Sequence, residues 1–187
     1  MEKSRFHSLH ALELRKQFYG EWHELVAKDM FCAVQLLGKT DGEQAEVLNK
    51  AIVMMRETNP QNLNLPYMFE AYSARLMMPE TIEMHEAYRQ AVTPPTNENK
   101  YQIAERYLRE ALPIFRFHYK EDNRAIWANE CKLAYALAMQ EKWTDFDEHF
   151  DICKQGAEKV KEEDAAKSMR KIIETVEQAL AEKNIAK

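Results

Sequence analysis

The sequence predicts an all-α protein, and three observations carry that prediction. Apolar residues recur at spacings of three and four along nearly the whole chain, the period of a helix with one buried face. Only 4 glycines and 6 prolines occur in 187 residues, too few for the many turns of a β fold. Ala, Glu, Lys, Met and Gln, all good helix formers, dominate the remainder.

The first helical stretch runs from Ser4 to Leu37 and sets Phe18, Trp22, Leu25, Val26, Cys32, Ala33, Leu36 and Leu37 near one face. Gly20 either divides it or merely weakens it. Gly38 stops it, and Thr40-Asp41-Gly42 forms a turn that caps the next helix, Glu43 to Arg56. The segment 57–66, rich in Asn and Pro, is a loop. Two shorter helices follow, Tyr67 to Met77 and Pro79 to Val92, the second with proline in its first turn. Thr93-Pro94-Pro95-Thr96 is the strongest break in the chain. Beyond it lie four amphipathic runs: Lys100 to Tyr119, Asn123 to Met139, Trp143 to Lys159 and Asp164 to Glu182. Their short connections require antiparallel hairpins. The chain therefore reads as an irregular helical region, 1–95, continuous with a hairpin region, 96–187, in one domain.

Residues 123–160 carry a family resemblance. Leu133, the small Ala134 and Leu137 lie on one helix; after the turn come Trp143, Phe150 seven residues later and Cys153 three beyond. This spacing resembles a tetratricopeptide repeat. Tyr101, Ala104, Leu108 and Ala111 repeat the second-helix pattern with a displacement of 42. Phe146 and Glu141 depart from it, since the family favours a small residue and a glycine there. The resemblance implies hairpins stacked as a right-handed superhelix, with Met169, Ile172, Ile173, Val176 and Leu180 on a final capping helix. It also implies a concave surface showing Ala128, Cys131, Tyr135 and Met139. Lys132 is the only basic residue there, so a clamp for a terminal carboxylate is not expected.

Composition narrows the chemistry. With 31 acids against 26 bases and the signs mixed throughout, no basic face for nucleic acid is expected. No apolar run is long enough to span a membrane, no signal core opens the chain, and a cytoplasmic location follows by default. Cys32, Cys131 and Cys153 are odd in number and widely spaced, and the last two sit on apolar stripes where packing is the simpler role. His7, His10 and Glu13 share a helical face, as do Asp145 and His149, but a solvated helix face explains each without a metal or an acid–base pair. No cofactor motif is present, and neither a catalytic residue nor a metal site is assigned.

What remains is binding. Met54, Met55, Met68, Met77, Met78 and Met84 crowd one segment beside Tyr67, Phe69, Tyr72 and Tyr88, suited either to an irregular core or to an adaptable surface. The expected function is a non-enzymatic interaction scaffold (adaptor, regulator or chaperone) holding a peptide or protein partner in a helical groove. Its expected contacts are Tyr135, Met139, Lys132, Tyr67, Tyr72 and Arg75. The alternatives are a structural homodimer and, third, a small metal-dependent helical enzyme.

Overall fold

A computed structural model of the chain describes residues 2–38, 40–77, 82–92 and 96–182, and among them there are helices and no strand. The helices are α1 (Glu2–Tyr19), α2 (Glu24–Cys32), α3 (Val34–Leu37), α4 (Asp41–Thr58), α5 (Asn64–Met77), α6 (Ile82–Gln90), α7 (Lys100–His118), α8 (Arg124–Ala138), α9 (Trp143–Lys159) and α10 (Glu163–Glu182). They form two compact units, Met1–Lys100 and Tyr101–Lys187. Pro79, Met78 and the break at Thr93-Pro94-Pro95 lie outside the described residues.

In the first unit, Gly20 divides the opening stretch. It takes φ +85, and its N–H donates to the Lys16 carbonyl at 2.9 Å, a left-handed helix end that glycine reaches without strain. His23 then caps α2, its Nδ1 accepting from the Leu25 N–H at 3.1 Å. The division overturns the single apolar face: Val26, Ala27, Met30 and Ala33 are buried, but Phe18, Trp22 and Cys32 are exposed. Thr40 and Glu43 close a reciprocal capping box at the start of α4. α5 begins three residues before the expected Tyr67. Pro66 falls in its first turn, where its missing N–H has no partner to lose, and Asn62 Oδ1 accepts from the Asn64 N–H at 2.9 Å.

α1 packs on α2, α2 on α4, and α4 on both α5 and α6. Met54, Met55, Met68, Met77 and Met84 are all buried, so the described methionines of this segment belong to the core. Asn59 and Asn62 donate to Glu24 Oε2 at 2.5 and 2.9 Å, tying the α4–α5 loop to α2 and holding the Glu24 carboxyl below its ordinary range.

In the second unit, α8 and α9 form an antiparallel hairpin and α10 packs on both. α7 joins α8 through hydrogen bonds: Asn129 Nδ2 donates to the Leu108 carbonyl at 3.0 Å, and Gln140 Nε2 to the Tyr101 carbonyl at 3.1 Å. Leu108, Leu133 and Leu137 are sealed in this core, Phe150 is nearly so, and Trp143 is half-buried. Phe146, the residue too large for the repeat pattern, is buried and stacks on Phe150 with ring centroids 4.9 Å apart.

Two features bring α8 unusually close to α9. A disulfide joins Cys131 to Cys153 with their Cα atoms 4.7 Å apart. This corrects the reading of both cysteines as unbridged packing residues: sequence spacing could not show that opposite helices set them face to face. One turn further on, Gly156 lies so near Trp127 that a Cβ there would sit 2.4 Å from the indole Cγ. The connecting turn is a Schellman motif in which the Lys142 N–H donates to the Leu137 carbonyl at 3.1 Å and Glu141 takes φ 61.

These positions predict opposite effects on stability. Glu141→Gly relieves a left-handed residue and raises the unfolding free energy by about 1 kcal/mol. Gly156→Ala forces the hairpin apart and lowers it by about 1–3 kcal/mol. Urea denaturation of the two variants beside wild type checks both signs.

The disulfide spans 22 residues. Replacing both cysteines by alanine removes about 3 kcal/mol relative to the oxidised protein, on the chain-entropy scale for a loop of that size. Denaturation under non-reducing conditions measures it.

Candidate functional site

The structure distributes the six expected contact residues between the two units, and two of them are not surface residues. Tyr72 is fully buried: its hydroxyl donates to the Tyr88 carbonyl at 2.6 Å and its ring meets Tyr88 edge-on at 5.1 Å. Tyr135 is 9% exposed and lies edge-on to Tyr101 at 6.1 Å. Burial, together with the neighbouring Tyr135, pushes the Tyr101 phenol up to about 12. Tyr67, Lys132 and Met139 are half-buried, as is Arg75, whose Nη1 lies 3.6 Å from Met84 Sδ. The expected concave face is largely closed. Cys131 is sealed in the disulfide, and α8, apolar on nearly every side, is covered by α9 and α10.

Charged groups concentrate where α7 meets the hairpin. Glu105 on α7 accepts from Lys142 Nζ at 2.6 Å, Gln140 Nε2 at 2.9 Å and Arg109 Nε at 2.9 Å. Burial alone would push its carboxyl up, but the donated hydrogen bonds outweigh that effect and hold it below the ordinary carboxylate range. Arg109 reaches on to Asp145 at 2.6 Å. Asp145 is therefore not the partner of His149. His149 Nδ1 instead lies 2.5 Å from Glu130 Oε2, and Glu130, wholly buried on α8, also accepts from Arg116 Nη2 at 3.1 Å. Three helices thus converge on a carboxylate that has no access to water. A buried acid persists there only with its hydrogen-bond partners Arg116 and His149 in place, which makes the cluster a lock on the helix arrangement. Among the described residues no three His, Cys, Asp or Glu side chains gather as metal ligands, and His7, His10 and Glu13 lie exposed on α1.

The surface most unlike an ordinary exterior is the corner between α1 and α2. Leu14 is 50% exposed, Phe18 85%, Tyr19 47% and Trp22 47%. Phe18 and Tyr19 meet edge-on at 5.2 Å, Tyr19 stacks on His23 at 4.5 Å, and the Trp22 indole N–H donates to Glu57 Oε2 at 3.0 Å. The corner is therefore an ordered display of rings. Its signal in the sequence was the pair Phe18 and Trp22 on either side of Gly20. Read as one helix, that pair belongs to the core; read as a broken helix, it belongs to the corner.

The Glu105 cluster yields a pH prediction. A carboxyl depressed in the folded state adds stability that is complete above the ordinary carboxylate range and is lost as pH falls from that range through the lower folded value. The unfolding free energy of wild type minus that of Glu105→Gln is largest near neutrality and shrinks below about pH 4. Chemical denaturation across that range reads the difference. A constant difference would assign Glu105 a purely steric role.

No family model matches this chain, and a search of curated proteins finds no match.

Proposed function

We propose that the chain is a non-enzymatic interaction scaffold, an adaptor, regulator or chaperone, and that the α1–α2 corner is a surface it offers to a protein partner. The observation that carries this reading is the exposure of Leu14, Phe18, Tyr19 and Trp22 together at one corner. Scattered apolar residues on a surface need no explanation, but contiguous ones mark places where another molecule takes the place of water. Tyrosine and tryptophan supply much of the energy at such surfaces. Here the rings are already positioned by Gly20, His23 and Glu57, so little ordering is left for binding to impose. Lys132 and Met139 in one unit, and Tyr67 and Arg75 in the other, reach solvent and remain proposed secondary contacts.

The stacking of α7 to α10 as a tetratricopeptide-like superhelix belongs to the same proposal. Its support is the hairpin of α8 and α9 with α10 packed across both. Location belongs to it too. The sequence favours the cytoplasm, whereas a Cys131–Cys153 bond persists best in an oxidising compartment.

The test is a double variant, Leu14→Ser with Phe18→Ser, compared with wild type for partner recovery at native expression level and for solution mass. Both residues are exposed, so the unfolding free energy should move by no more than about 0.5 kcal/mol. The proposal expects an unchanged monomeric mass and loss of the recovered partner. A wild-type dimer that dissociates in the variant would instead establish the homodimer reading. Unchanged partner recovery would remove the corner from the function.

A further inference from the structure

A second feature lies in the C-terminal unit, apart from the α1–α2 corner. The chain entering α8 and the chain leaving α9 border a cleft of about 460 Å³ lined by residues 122–124, Trp127 and residues 159–162. That volume falls within the range of ligand sites. Its shape follows from the close hairpin. Gly156 lets the Trp127 indole lie against α9, which leaves the residue only 9% exposed at the cleft.

The indole N–H is the informative atom. A buried tryptophan ordinarily gives its N–H to an acceptor. Among the described residues no acceptor meets this one, and it is not among the polar atoms sealed from solvent. Trp127 lines the cleft and its N–H keeps contact with solvent, so this donor is open to a ligand. Around it stand three cations, Arg124, Lys159 and Lys161, against two carboxylates, Asp122 and Glu162, in a chain of net charge −5. Arg124 Nη1 reaches Glu162 Oε1 at 3.7 Å, whereas Lys159 and Lys161 have no carboxylate partner among the described residues. The positive end of the α8 dipole points the same way, with one amide already capped by Asn123 Oδ1 at 2.9 Å.

We propose that this cleft binds an acidic peptide segment. One carboxylate accepts from the Trp127 indole N–H and pairs with Lys159 and Lys161, while a neighbouring aliphatic side chain lies on the indole and Val160. A compact phosphate fits the same cations less well. The lysines are separate point charges without a free guanidinium fork, and the indole offers carbon surface that phosphate does not use.

The probes are an acetylated and amidated tetrapeptide, Glu-Glu-Leu-Glu, its Gln-Gln-Leu-Gln counterpart, and inorganic phosphate. Each is titrated into the full chain while the indole N–H resonances of its 3 tryptophans are followed, Trp127 being assigned by its absence in Trp127→Phe. The acidic peptide should shift the Trp127 resonance saturably. The exposed double variant Lys159→Gln/Lys161→Gln should weaken that binding at least tenfold, as should replacement of glutamate by glutamine in the peptide. Equal binding of the glutamine peptide, or an unchanged affinity in the lysine variant, would overturn the proposal. Phosphate alone saturating the same resonance at equal or lower concentration would overturn it in favour of a small-oxyanion site. None of these readouts involves the α1–α2 corner, so the two surfaces stand or fall separately.

Discussion

The distance between α8 and α9 sets the rest of the C-terminal unit. Helices joined by a short turn can pack at a range of separations, and the side chains at the contact choose among them. Here the contact holds a disulfide with Cα atoms 4.7 Å apart and a glycine with no room for a methyl group. That approach sets Trp127 against Gly156 of α9, beside the cleft. It also sets the turn whose left-handed residue, Glu141, leads into Lys142 and so into the hydrogen bond to Glu105. A hairpin wider by a single methyl group would disturb all three.

Electrostatics then fixes the third helix. Glu105 and Glu130 are both buried acids on the path between α7 and the hairpin, and each is satisfied by donors from more than one element. Apolar packing tolerates small slips of one helix along another, because it is not directional. A buried carboxylate does not, since any slip leaves charge without a partner in a medium that cannot solvate it. The leucine core of α7 and α8 provides cohesion, and the two glutamates select the register.

The N-terminal unit places its assets differently. Its methionines and Tyr72 fill the interior where α4 meets α5 and α6, a role suited to a flexible thioether and to a tyrosine with a carbonyl within reach. Its aromatic surface lies instead where α1 ends. Gly20 is decisive there, because the left-handed turn carries Phe18 and Trp22 away from the buried stripe that begins at Val26. Core and display thus depend on one residue's backbone conformation.

The sequence by itself determined the helices and most of their ends. Periodicity, the Thr40 cap, the loop around Pro60 and the short connections after Lys100 are local signals, read within one or two turns of chain. It also determined the buried leucines of the hairpin, since a helical stripe needs only its own spacing. Four matters were settled only by tertiary structure: the Cys131–Cys153 bond, the pairing of His149 with Glu130 rather than Asp145, the burial of Tyr72 and Tyr135, and the exposure of Phe18. Each depends on what stands across a gap between elements far apart in sequence or on how a backbone turns at one glycine. Helical period fixes which residues share a face. What that face meets is set by three-dimensional packing, which no repeat of three and four encodes.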